Sequence, residues 1–184
     1  MTTNPRSSTL PGDLSAEQEK VRALRVDHAG EFGAVRIYEG QLSVIKDGTH
    51  AEKIRDMANQ ERKHLKIFES LLVKNKVRPT FLYPVWHVAG FAMGAGTALL
   101  GEKAAMACTV AVEEVIEKHY SRQISLLEDS EPELCEILSR CQEDEIEHRN
   151  ISLNAGAEDA PGYPLLSSLI KTATRTAIWL SERI

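Results

Sequence analysis

"EFGAVRIYEGQLS", residues 31 to 43, and "EEVIEKHYSRQIS", residues 113 to 125, decide how this chain is read. Setting Glu31 against Glu113 also matches Tyr38 with Tyr120, Gln41 with Gln123 and Ser43 with Ser125. Each stretch is followed by a Glu-x-x-His: Glu61 and His64 in "NQERKHLKIF", and Glu145 and His148 in "EDEIEHRN" (residues 143 to 150). One such pair is weak evidence, since residues i and i+3 share a helical face in any charged helix. Two pairs at matched distances carry more weight. From Glu31 to Glu61 is 30 residues, and from Glu113 to Glu145 is 32. The chain reads as two copies of one helical hairpin, each supplying Glu and then Glu-x-x-His.

Local signals agree with a helical reading. "LSAEQ" offers Ser15 as N-cap with Gln18 at N3, "DGTHAE" offers a Thr49/Glu52 capping box, and "DSEPE" offers Ser130 with Glu133 and Pro132 in the first turn. Apolar periodicity between these marks predicts helices over roughly 15–47, 50–76, 102–128, 131–155 and 165–184. No alternating strand pattern stands out, so the expected class is all-α. Residues 1–13, with Pro5, Pro11 and Gly12, read as a mobile arm, and 14–184 as a single domain.

Composition narrows the function classes. A net charge of −5 without a basic run gives no support for a nucleic-acid partner. Cys108, Cys135 and Cys141 are odd in number and form no CxxC pair, which fits reduced, buried thiols. The first residues contain no apolar signal region and make a poor mitochondrial presequence.

One segment stands apart. Residues 79–101, "PTFLYPVWHVAGFAMGAGTALLG", contain no Asp, Glu, Lys or Arg, which on length alone suffices for a membrane span. A span would put Glu31, Glu61 and His64 on one side of the bilayer and Glu113, Glu145 and His148 on the other. The expectation is therefore an interfacial platform dipping Phe81, Leu82, Trp86, Phe91, Met93 and Leu99 into a membrane surface. Leu165, Leu169, Ile170 and Ala173 of the last helix, beside Lys171 and Arg175, would assist. The plainer reading is a buried hairpin or core helix.

Packing two such hairpins antiparallel brings one Glu from each of two helices against a Glu-x-x-His from each of the others. That is the ligand pattern of ferritin-like carboxylate bundles that hold two iron or manganese ions. Four buried carboxylates without counter-charge would be severely unfavourable, and two divalent cations neutralise them. Carboxylate-rich ligation with one imidazole per metal suits Fe or Mn better than Zn. The candidate ligands are Glu31, Glu61, His64, Glu113, Glu145 and His148. Tyr38 and Tyr120, two turns beyond their glutamates, are either hydrogen-bond partners of the ligands or core aromatics. His28 precedes Glu31 by three and reads as a packing or ligand-supporting group. His119 lies off the ligand face, and Glu114 and Glu147 point elsewhere.

"LRVDHAGEFGAVRIYEGQL", "ACTVAVEEVIEKHY", "EDEIEH" and the terminal "AIWLSERI" resemble the demethoxyubiquinone hydroxylase family of ubiquinone biosynthesis (the Coq7/CLK-1 type). The resemblance runs from about Val21 to the end, and by motif its ligand positions fall on the same six residues. It implies a ferritin-like di-iron monooxygenase that hydroxylates the ring of demethoxyubiquinol with O2, two iron ions per chain and NADH as reductant. The implied partners are a polyprenylated benzoquinol, a membrane surface and a Coq9-like lipid-binding protein, with a homo-oligomer left open. The implied location is peripheral, at the cytoplasmic face of a bacterial cell membrane or the matrix face of the mitochondrial inner membrane. The rival reading is a ferroxidase or other iron-binding bundle, which has no use for so long a charge-free stretch.

Overall fold

The computed structural model describes residues 14–184. The 1–13 arm lies outside the described residues. Six α-helices run in order: α1 (Ala16–Val44), α2 (Gly48–Lys74), α3 (Tyr83–Leu99), α4 (Glu102–Leu127), α5 (Pro132–Asn154) and α6 (Tyr163–Ser181). A short 3-10 turn, Ala157–Asp159, precedes α6, and no strand occurs among the described residues. The fold is an all-α, ferritin-like bundle in which α1–α2 and α4–α5 are the two hairpins.

The helix starts follow the sequence only in part. At α1 the Ser15 hydroxyl accepts from the Gln18 N–H at 3.2 Å and the Gln18 side chain accepts from the Ser15 N–H at 2.8 Å, closing the capping box. The other two boxes do not form. Gly48, at φ 88°, turns the chain into α2 two residues early, so Asp47 takes the N-cap position and Thr49 falls inside the first turn. Before α5 the Ser130 hydroxyl donates to the Leu127 carbonyl at 3.3 Å, finishing α4, and Glu131 becomes the N-cap with Pro132 behind it.

Two apolar clusters fill the bundle ends. Tyr38, Ile54, Met57, Met106 and Val110 pack at one end. Leu24, Phe68, Tyr120, Leu127 and Leu138 pack at the other. Along every bundle helix the candidate ligands fall between these clusters, so the polar centre is sealed from both ends. Burial of the clusters, at about 25 cal/mol per Å² of apolar surface, is what holds four helices around a charged middle.

The charge-free segment becomes α3, strapped along α1 in the most extensive helix–helix interface of the molecule. A Cβ at Gly94 would lie 1.9 Å from the Ile37 carbonyl oxygen, and one at Gly40 would lie 2.2 Å from that of Phe91. The two backbones therefore touch, which only glycine permits. No described helix is long and apolar enough to cross a membrane. The last helix, α6, lies along α4. Each hairpin is thus followed by a helix that covers the hairpin's own first helix. The repeat is three helices long, α1–α3 and α4–α6, where the sequence displayed only two.

Candidate metal centre

Glu31 on α1, Glu61 and His64 on α2, Glu113 on α4, and Glu145 and His148 on α5 are all buried in the middle of the bundle. One ligand atom each from Glu31, Glu61, His64 and Glu145 forms a group in which all lie within 4.8 Å of one another. Glu61, Glu113, Glu145 and His148 form a second such group. Glu61 and Glu145 belong to both and lie between the two, whereas Glu31 and Glu113 are terminal. The His64 Nδ1 lies 3.4 Å from Glu31, 3.4 Å from Glu145 and 3.7 Å from Glu61. The His148 Nδ1 lies 3.0 Å from Glu61 and 3.2 Å from Glu145.

The electrostatics call for positive charge. Burial, then the Glu145 and Glu61 carboxylates, push the Glu113 carboxyl well above its usual range. Burial pulls both imidazoles down, but attraction to the adjoining carboxylates outweighs it. His64 is raised through Glu145, Glu31 and Glu61, and His148 is pushed up to about 11 through Glu145 and Glu61. The site draws protons onto its histidines because nothing else balances its carboxylates. Glu31 Oε2 and His64 Nδ1 are buried 3.4 Å apart without the alignment of a hydrogen bond. Lone pairs left free in a closed pocket of carboxylates and imidazoles fit a pair of divalent cations.

Supporting contacts cross from one half to the other. The Tyr38 hydroxyl on α1 donates to Glu113 Oε1 at 3.1 Å, and the Tyr120 hydroxyl on α4 donates to Glu31. Burial first, and then the neighbouring carboxylates, raise both phenols well above their ordinary range, so they stay protonated and keep donating. The outward Nε2 of His64 meets Asp144 at 2.9 Å, and that of His148 meets Gln60 at 3.2 Å. Gln41 and Gln123, also matched by the repeat, donate to the Ala105 carbonyl and to Asp27.

The model of the family described as "Ubiquinone biosynthesis protein COQ7" matches residues 18–181. The chain belongs to the COQ7 family. It is 51% identical over 176 residues to the 3-demethoxyubiquinol 3-hydroxylase of Rhodospirillum rubrum, covering 95% of this chain and 83% of that protein. It is 48% identical over 183 residues to the human mitochondrial NADPH-dependent 3-demethoxyubiquinone 3-hydroxylase, covering 97% and 84%. With the yeast mitochondrial 5-demethoxyubiquinone hydroxylase it shares 38% over 180 residues, covering 89% and 77%.

In this COQ7-family chain an apolar groove opens beside the centre. Its floor is Gly30, Gly33 and Ala34 of α1 with Val112 and Ile116 of α4, and its walls are Trp86, Ala89 and Met93 of α3 and Ala173, Ala177 and Ile178 of α6. Its volume is about 160 Å³. Val26, Gly30, Ala34, Val112, Ile116 and Ile178 also line the chamber reaching Glu31, Glu61, Glu113 and Glu145, so groove and carboxylates adjoin.

The remaining sequence candidates scatter. His28 is buried against α3, its ring 6.1 Å from that of Tyr83, and joins neither ligand group. Phe81 and Leu99 project outward at 85% and 75% exposure. Leu82 is half-buried, Trp86 donates to the Ser181 hydroxyl at 3.1 Å, Phe91 lies under the Arg36 guanidinium at 5.0 Å, and Met93 packs on Ile37 and Cys108. Of the last-helix stripe, Leu165 and Leu169 are exposed and Ile170 is buried. Sequence reasoning missed Val85 and Val88, which share the outer face of α3. It also missed Asp144 and Gln60, although each directly precedes a Glu-x-x-His glutamate, and it set aside His119, whose Nε2 lies 3.5 Å from Asp27 beside the chamber.

Proposed function

We infer that this chain hydroxylates the ring of demethoxyubiquinol in ubiquinone biosynthesis, using two iron ions, O2 and a reduced nicotinamide nucleotide. The observation that carries the reading is the double carboxylate–histidine pocket standing at the inner end of an apolar groove. One oxygen atom of O2 enters a ring C–H bond. The other leaves as water, with two electrons and one proton drawn from the reductant as a hydride and a second proton taken from solvent. Bound iron would supply the O2 chemistry that no side chain can perform. The chain's own part is positional. Glu61 and Glu145 stand between the two pockets, Tyr38 and Tyr120 hold the terminal glutamates, and the packed helix ends keep water out. The groove offers an apolar bed for a prenyl tail, with the ring leading toward the carboxylates. A ferroxidase, whose substrate is an aqueous ion, has no need of such a groove.

The resemblance in sequence implies NADH, while the human relative's name specifies NADPH. Assay of both nucleotides separates them. The outer faces of α3 and α6 support a peripheral membrane seat, since Phe81, Val85, Val88, Leu99, Leu165, Leu169 and Trp179 are all exposed. A polyprenyl tail, at about 0.8 kcal/mol per buried CH2, does not leave a membrane unaided, so its enzyme must come to the surface. A strain blocked at this hydroxylation and given this chain should recover ubiquinone. The purified protein should carry about two iron ions per chain. Iron uptake without ubiquinone recovery would leave a metal-binding bundle and refute the hydroxylase.

A further inference from the structure

The two pockets match in most contacts, although His64 Nδ1 also comes within 3.4 Å of its terminal glutamate, Glu31, while the close partners of His148 Nδ1 are the shared Glu61 and Glu145. Each has a terminal glutamate receiving a tyrosine hydroxyl from the opposite half, and each shares Glu61 and Glu145. Each histidine turns Nδ1 toward the carboxylates and Nε2 away from them. Among the described side chains that hydrogen-bond these six residues, one matched pair differs in chemistry. His64 leans on the carboxylate of Asp144, and His148 leans on the amide oxygen of Gln60. The two partners also touch each other, the Gln60 amide supporting Asp144, so a single path runs His64–Asp144–Gln60–His148. The negative charge on that path sits at the His64 end.

An imidazole that donates its outer N–H to a carboxylate is a stronger metal ligand than one donating to a neutral amide. The carboxylate draws the proton, and electron density returns to the inner nitrogen. Asp144 also adds a further negative charge that contacts His64 and acts more weakly on His148, at a half-buried position that screens it only in part.

Resting on the metal reading above, we propose that Asp144 and Gln60 make the two pockets unequal, so that the first cation enters the Glu31/His64 pocket and the second the Glu113/His148 pocket. They are positioning residues that act through the histidines. The order matters because a chain holding one cation then has a defined vacant side, Glu113/His148.

The test uses the full-length, metal-free protein under anaerobic conditions, with isotopically enriched Fe(II) as the probe. With one equivalent per chain, Mössbauer spectra should be dominated by a single quadrupole doublet. A second doublet should grow in as the second equivalent is added. Asp144→Asn is nearly isosteric and partly exposed. It should weaken the first step about tenfold or more and even out the doublets at one equivalent. Gln60→Glu supplies the missing charge on the other side and should also even them out, by strengthening the second pocket. A role confined to holding the helices together would move neither ratio. Two doublets of equal area in the wild type at one equivalent, or a ratio that both variants leave unchanged, would overturn the inference. Failure to bind Fe(II) at all would overturn the metal centre itself, a separate outcome from two equivalent pockets.

Discussion

The half made of α1–α3 and the half made of α4–α6 place their pocket-lining residues alike and dock their third helices by different means. Helix α3 lies on α1 through glycine backbones, with Gly94 over Ile37 and Gly40 under Phe91. Helix α6 lies on α4 through side chains, burying Ile170 and Ser167 and pairing Lys171 with Glu114 at 2.7 Å. The centre constrains both halves at once, because each pocket takes groups from both. The outer helices have only to cover an apolar floor, and backbone contact or side-chain interdigitation does that equally well.

Removal of ligands tests the equivalence most severely. Glu61→Ala, which strips a carboxylate shared by both pockets, should abolish iron binding and hydroxylation together. Glu31→Ala and Glu113→Ala each damage one pocket, so about one iron per chain should remain without activity. Metal analysis showing two irons in Glu61→Ala would end the idea of a shared carboxylate.

Loading should also expel protons. In the metal-free protein the carboxylates hold His148 protonated up to about 11, and a cation must displace that proton. Apparent iron affinity should therefore climb as pH rises toward that value. Iron addition to a weakly buffered sample should acidify it, and uptake with no proton release would contradict the charge balance described here.

The docking difference predicts opposite sensitivities to a single carbon. Adding one to α3 by Gly94→Ala should cost about 1–3 kcal/mol, because the backbones cannot both stay in place. Removing one from α6 by Ile170→Val should cost about 0.5–1.5 kcal/mol. Denaturant midpoints give both values, and a neutral Gly94→Ala would mean that α3 does not touch α1 as closely as described.

Tyr38→Phe and Tyr120→Phe should each weaken iron binding about tenfold, and by similar amounts, since the two hydroxyls do the same work on opposite sides. The smallest effect on the centre belongs to the surface. Leu99→Asp on α3 and Leu169→Asp on α6 should reduce liposome binding while leaving iron content unchanged. Iron loss in either variant would mean that those faces are part of the core.

Much of the bundle was legible because a repeated Glu and Glu-x-x-His fixes both helical phase and spacing. That is why all six candidate ligands meet. The third element of the repeat was hidden, since α3 and α6 share little beyond an opening Tyr-Pro, Tyr83-Pro84 and Tyr163-Pro164. One presents small residues and the other Ile170 and Ser167, and both solutions read simply as apolar. The capping boxes at Thr49 and Ser130 misled because a cap depends on where the preceding turn ends. Gly48 ends it two residues early, and Ser130 is already engaged with Leu127. Asp144 and Gln60 escaped because polar residues on charged helices are common. Only the crossing of α2 against α5 shows that each faces the opposite histidine.

The division of each pocket between the two halves has a consequence for biosynthesis. A nascent chain that has emerged as far as Leu100 presents Glu31, Glu61 and His64 without Glu145, so neither pocket exists yet. On the metal reading, cation capture must await the fifth helix. A ribosome stalled in the loop between the halves would hold a polypeptide with no claim on cellular iron.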